Sequence, residues 1–150
     1  KHSVSLSAQS SQFRDKNRLA HNLDTLTVGF SSSWKLPRKW GATVGLNQST
    51  TKDKNDGSKR TSQSFGPGLS MPLAKDWSAQ FWGNYTATKN TSTFLPADTT
   101  VTSINSEYTW NCSKQVNVTL GLGGNNSKDK LSKANTYKEV TASMRYSYTF

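Results

Sequence analysis

The sequence predicts an all-β chain folded as an antiparallel, up-and-down β-barrel with eight strands, built as four hairpin repeats. Large apolar side chains alternate with small polar ones over most of its length, the period of two that puts each set on its own face of a strand. Four segments also recur: Val4-Ser5-Leu6-Ser7, Ala42-Thr43-Val44-Gly45, Ala79-Gln80-Phe81-Trp82 and Val118-Thr119-Leu120-Gly121, spaced 38, 37 and 39 residues apart. Each opens a strand that runs into a polar, Lys-rich stretch and returns as a second strand, so the repeat unit is a β-hairpin. Solenoids and propellers share such periods, but they need similar connections on both sides, and here short and long connections alternate.

The first hairpin is read at 2–12 and 23–35, with Leu26, Val28, Phe30 and Trp34 facing Thr27, Gly29 and Ser31 across the strand. The second, 40–51 and 61–73, sets Trp40, Ala42, Val44, Leu46, Phe65, Leu69 and Met71 against Thr43, Gly45, Asn47, Gly66, Gly68 and Ser70. Pro67 falls within it and forfeits a ladder hydrogen bond, which predicts a bulge or bend there. The third, 77–89 and 99–111, carries Trp77, Phe81, Tyr85, Ile104, Tyr108 and Trp110 on its apolar face. The fourth, 115–126 and 136–150, carries Val116, Val118, Leu120, Leu122, Val140, Ala142, Met144 and Tyr146. Leu36-Pro37-Arg38-Lys39, Ala74-Lys75-Asp76 and Cys112-Ser113-Lys114 form the short connections, and the other four are expected to be long polar loops.

Composition separates this chain from an ordinary soluble globule. Only 32% of residues are hydrophobic and mean hydropathy is −0.74, values typical of disorder. Yet 11% are aromatic, five of them Trp. An apolar exterior around a polar lumen reconciles the two. No run of about 18 apolar residues exists, which excludes membrane helices. No signal peptide leads the chain, so it reads as a mature or trimmed product. The single Cys112 reads as a passive turn residue.

Aromatic placement turns the barrel outward. Trp34, Trp40, Trp77, Trp110 and Tyr148 fall beside the short turns or near the chain end, as rings do at a membrane–water boundary. Tyr85 and Tyr108 are assigned to the opposite girdle. The last residues, Met144-Arg145-Tyr146-Ser147-Tyr148-Thr149-Phe150, alternate and stop on an aromatic. This stretch resembles the terminal strand of bacterial outer-membrane β-barrels. The resemblance implies a transmembrane β-barrel integral to the bacterial outer membrane with both termini periplasmic. Its partners would be the lipid bilayer and the barrel assembly machinery, the latter reading Met144, Tyr146, Tyr148 and Phe150.

Enzymatic readings fail on inventory. His2 and His21 are the only histidines; neither is read on a membrane-spanning strand as a base for a nucleophilic serine. No acidic pair suits general acid–base work, and no metal-ligand spacing occurs, so no cofactor is expected. On the polar face, Gln80, Trp82, Asn84, Glu107 and Arg145 are the lumen-facing candidates, the last two either an ion pair across a narrow lumen or solvated wall charges. The net charge of +10 is unevenly spread: the long loops hold 12 basic and seven acidic residues, a balance of +5, with Lys52, Lys54, Lys59, Arg60, Lys128, Lys130 and Lys133 interleaved with acids. Without a stacking platform they do not read as a nucleic-acid site, and attraction to phosphorylated lipopolysaccharide is the better expectation. The polar face holds mainly Gly, Ser and Thr, too little to fill an eight-stranded interior. That suits a porin-like transport channel for polar solutes, or the C-terminal part of a larger export pore or homo-oligomer. The alternative is a closed small structural or adhesive barrel whose basic loops bind lipopolysaccharide or a partner.

Overall fold

A computed structural model describes residues 1–14, 22–93 and 96–149. Eight strands are present: β1 (His2–Arg14), β2 (Asn22–Lys35), β3 (Gly41–Asp53), β4 (Lys59–Ala74), β5 (Trp77–Asn90), β6 (Ala97–Asn111), β7 (Val116–Asp129) and β8 (Tyr137–Tyr148). They form one sheet in sequence order, each antiparallel to the next. Two short 3-10 turns, Pro37–Lys39 and Lys133–Asn135, are the only helical pieces among the described residues. No helix is long and apolar enough to cross a membrane.

The expected alternation sets the register. A row crosses the sheet from Leu6 through Phe30, Leu46, Phe65, Tyr85, Thr102 and Asn126 to Lys138. Residues of one parity therefore stay on one face throughout, because a one-residue slip anywhere would swap the faces. At Pro67 the expected bulge is absent. Pairing between β4 and β5 skips Gly66 and Pro67 but resumes in the same register at Gly68↔Trp82, and the shift lies at Pro72/Ala74 instead. The proline ring stands over Gly83, where even a Cβ would be 3.5 Å from its Cγ. A local gap in the ladder therefore accommodates the missing N–H.

Two expectations are corrected. The sheet is not closed: β8 pairs only with β7, and β1 only with β2. An eight-stranded barrel closed within this chain is therefore not what these strands form. The long connections that are wholly described are also shorter than expected, at 54–58 and 130–136, and β5 and β6 extend to Asn90 and Ala97. The strands continue into the Lys-rich stretches, since backbone pairing needs no apolar side chain. Lys52, Lys59, Arg60 and Lys128 thus lie on strand ends, while Lys54, Lys130 and Lys133 lie in connections. At the first short turn Arg38 and Lys39 both have positive φ, 59° and 63°, and the turn is closed by the Leu36 N–H donating to the Trp40 carbonyl at 2.8 Å.

No conventional core exists. Ala79 is the single buried hydrophobic residue among those described. The accessible area is 11222 Å², against about 7,600 Å² for a compact monomer of this mass. A single layer explains the excess: strand packing runs between neighbours in the sheet, and among the described residues no second layer covers it.

Candidate functional site: two faces and a charged rim

The apolar face is a continuous exposed surface. Leu6 is 77% exposed, Ile104 70%, Met144 73% and Val140 87%. On β5 the band runs from Trp77 to Tyr85, about 27 Å along the strand and about 22 Å high once tilted as in a barrel. That approaches the ~25 Å apolar belt of transmembrane barrels. At its short-turn edge Trp77 and Trp110, directly opposed, stack with centroids 5.4 Å apart. Trp34 stacks on His2 at 5.5 Å, and Trp40 lies half-buried beside its turn. Phe81 and Tyr108 meet edge to face at 5.8 Å. Tyr108, opposite Ala79 and two residues from Trp110, belongs to this short-turn edge and not to the opposite girdle; Tyr85 lies toward the loop side. Met144, Tyr146 and Tyr148 share the apolar face of β8, and Phe150 lies outside the described residues.

His2 is the first residue of β1. Its Nε2 lies 3.0 Å from Ser32 Oγ, and that hydroxyl donates to the Ser3 carbonyl at 3.3 Å. Ser32 is only 4% exposed, closed off beneath the His2–Trp34 stack. The contact ties the start of β1 to β2. His21 lies outside the described residues.

The opposite face is a lawn of small polar groups. Hydroxyl pairs bridge neighbouring strands, as between Ser3 and Ser33 at 2.6 Å, Thr27 and Ser49 at 3.1 Å, and Thr109 and Thr119 at 3.1 Å. Gln80 is opposite both Ser70 and Glu107, while Trp82 is opposite Gly68 and Asn105. Asn84 donates to Thr86 Oγ1 at 3.1 Å. Trp82 is 38% exposed. Glu107 registers with Gly121, and Arg145 with Thr119. Glu107 and Arg145 form no ion pair with each other; β7 lies between their strands. Among the described residues no group of three His, Cys, Asp or Glu is placed to hold a metal.

The loop end of the sheet, its rim, is where the structure adds most. Parity carried along each strand places Arg14, Lys52, Lys59, Lys89, Lys128 and Lys138 on the apolar face. Asp24 and Asp98 share that face, and both are bridged: Asp24 by Arg14 and by Lys54 at 2.8 Å, Asp98 by Lys130 at 3.2 Å. The polar face of the rim has the reverse balance among the described residues: Arg60 on β4 shares it with Asp53 on β3, Asp129 on β7 and Glu139 on β8. Lys52 is directly opposite Asp24 on one side and Lys59 on the other, and Lys89 is directly opposite Asp98; the Lys52–Lys59 juxtaposition is a like-charge pair that disfavours the bare sheet. Arg14, Lys89 and Lys138, which a loop-by-loop reading counts without a face, follow the parity of the apolar residues before or after them. No protein-family model matches this chain, and neither does any curated protein sequence or solved structure.

Proposed function

We propose that this sheet is part of the wall of a wide, water-filled β-barrel of the bacterial outer membrane, a passive channel for polar solutes. The observation that carries the reading is a single-layer sheet without a core, apolar and exposed on one face and clad in small hydroxyls on the other. Lipid is the cover that the first face fits, and water the medium that suits the second.

The free edges support a wall that continues. β1 has no charge, Gly or Pro between Ser3 and Phe13, so it lacks the devices that protect edge strands. The registers also indicate how the next pairing would run. At the three short turns Trp34 is opposite Ala42, Met71 opposite Ala79, and Trp110 opposite Val118. Carrying the same repeat across the open edges sets Tyr148 opposite Val4 and Tyr146 opposite Leu6, apolar to apolar. The row from Leu6 reaches β8 at Lys138, eight residues from Tyr146. That stagger over eight strands gives a tilt of about 35°, within the range for barrels. With a polar face too small to fill an eight-stranded lumen, further strands entering through these edges would build a wider pore.

Conductance across planar bilayers tests the reading. Open steps of fixed size are expected from the purified, inserted protein. Silence despite correct insertion would overturn the channel and leave the closed structural or adhesive barrel.

A further inference from the structure

The rim charges are sorted by face, and the sorting has a direction. Arg14, Lys52, Lys59, Lys89, Lys128 and Lys138 stand on the face that carries Leu46, Phe65, Tyr85 and Ile104. Among the described residues of this rim, Arg60 is the cation on the opposite face, which also carries Asp53, Asp129 and Glu139 on other strands. A basic rim serving solutes in a lumen would carry its cations on the polar face. Here they lie on the outside, directly above the apolar band.

Height fits as well. Lys89 follows Tyr85 by four residues, about 13 Å along the strand, which clears the acyl chains and enters the headgroup layer. The lysines on this face are exposed, and among the described residues the rim lysines in ion pairs are Lys54 and Lys130, which bridge Asp24 and Asp98. The facing Lys52 and Lys59 ammonium groups invite a multivalent anion between them, since an anion turns their repulsion into two charge-assisted hydrogen bonds. We propose that this outer rim is a docking belt for phosphate groups of a lipid headgroup, with the Lys52–Lys59 pair as its anchor and Lys89 and Lys128 extending it along the sheet.

This inference rests on the membrane reading above, and the experiment separates the two. Wild-type protein is first floated with neutral phosphatidylcholine vesicles, then titrated with lipid A in the same vesicles. Replacing both anchors (Lys52→Ser with Lys59→Ser) should weaken lipid A binding about thirtyfold, about fivefold per lysine lost near a charged membrane surface. Lys89→Gln with Lys128→Gln should weaken it similarly without touching the anchor pair, which guards against a folding defect in either variant. Arg60→Ser, on the opposite face, should leave binding unchanged. Equal weakening by Arg60→Ser would overturn the face assignment. Displacement of lipid A by millimolar inorganic phosphate would overturn the lipid as the source of the anion. Failure of the wild type to float with neutral vesicles would remove the membrane reading itself.

Discussion

Ile104 offers the sharpest test of what covers the apolar face. It stands at mid-height, opposite Gly83 on β5 and Gly124 on β7, and 70% of it is exposed. Because its neighbours are glycines, Ile104→Arg removes little packing within the sheet. If water lies over this face, the substitution should cost less than about 0.5 kcal/mol, as exposed changes generally do. If lipid lies there, two terms appear. The exposed isoleucine surface, on the order of 120 Å², forfeits about 3 kcal/mol of transfer from water. A charged side chain near the midplane adds about 2–4 kcal/mol. The sum is about 5–7 kcal/mol, a separation no experimental error obscures. Ser103→Arg, one residue away on the polar face, is the control and should stay within about 0.5 kcal/mol. Urea-dependent refolding into phosphatidylcholine vesicles, followed by Trp fluorescence, measures both. If Ile104→Arg behaves like Ser103→Arg, the apolar face does not lie in lipid and the proposed function fails with it.

Cysteines at Ser5 and Ser147, placed opposite by the register proposed for the free edges, should cross-link on oxidation in a Cys112→Ser background, while Ser7 with Ser147 should not. A linked species of twice the mass identifies a second copy as the source of the next strand; a linked monomer shows closure on itself; no link in either pair would sink the proposed edge register. At the rim, Asp129 lies seven residues beyond Leu122 and clear of the apolar band. It accepts hydrogen bonds from the Asn135 amide at 3.1 Å and from the Leu131 N–H at 2.8 Å. These hold its carboxyl below the usual value, the Asn135 contact contributing most. A lowered folded pKa means that the contribution is fully present above the ordinary carboxylate value and is lost as pH falls through the folded one. Order in 130–136 should therefore persist at neutral pH and fail only below about pH 4, seen as a shift of the Leu131 and Ser132 amide resonances. Asp129→Asn should abolish that acid transition, and an unchanged transition would refute the assignment.

The two-residue period made the strand order and the faces legible from sequence, because it survives wherever one face is apolar. Val44, Leu46 and Phe65 announce their strands this way. The period fades toward Lys52 and Lys59, where both faces are polar, so those residues read as loop although β3 and β4 stay paired through Lys52↔Lys59. Closure was illegible for a different reason: pairing β8 with β1 is a contact between the ends of the chain, and no local pattern reports whether it forms. Pro67 misled because the residue across from it decides the outcome, and Gly83 leaves its ring enough room for the register to continue. The most useful signal was present and unused. Parity does not stop where hydrophobicity does, so Lys89 must share the face of Tyr85, and Lys52 that of Leu46, as long as the strand remains unbroken. Counting charges per loop gives an unremarkable excess of cations; counting them per face separates a basic rim on the apolar face from an acidic one on the polar face. In any sheet of this kind the side of the wall, more than the loop, decides which partner a charge can meet.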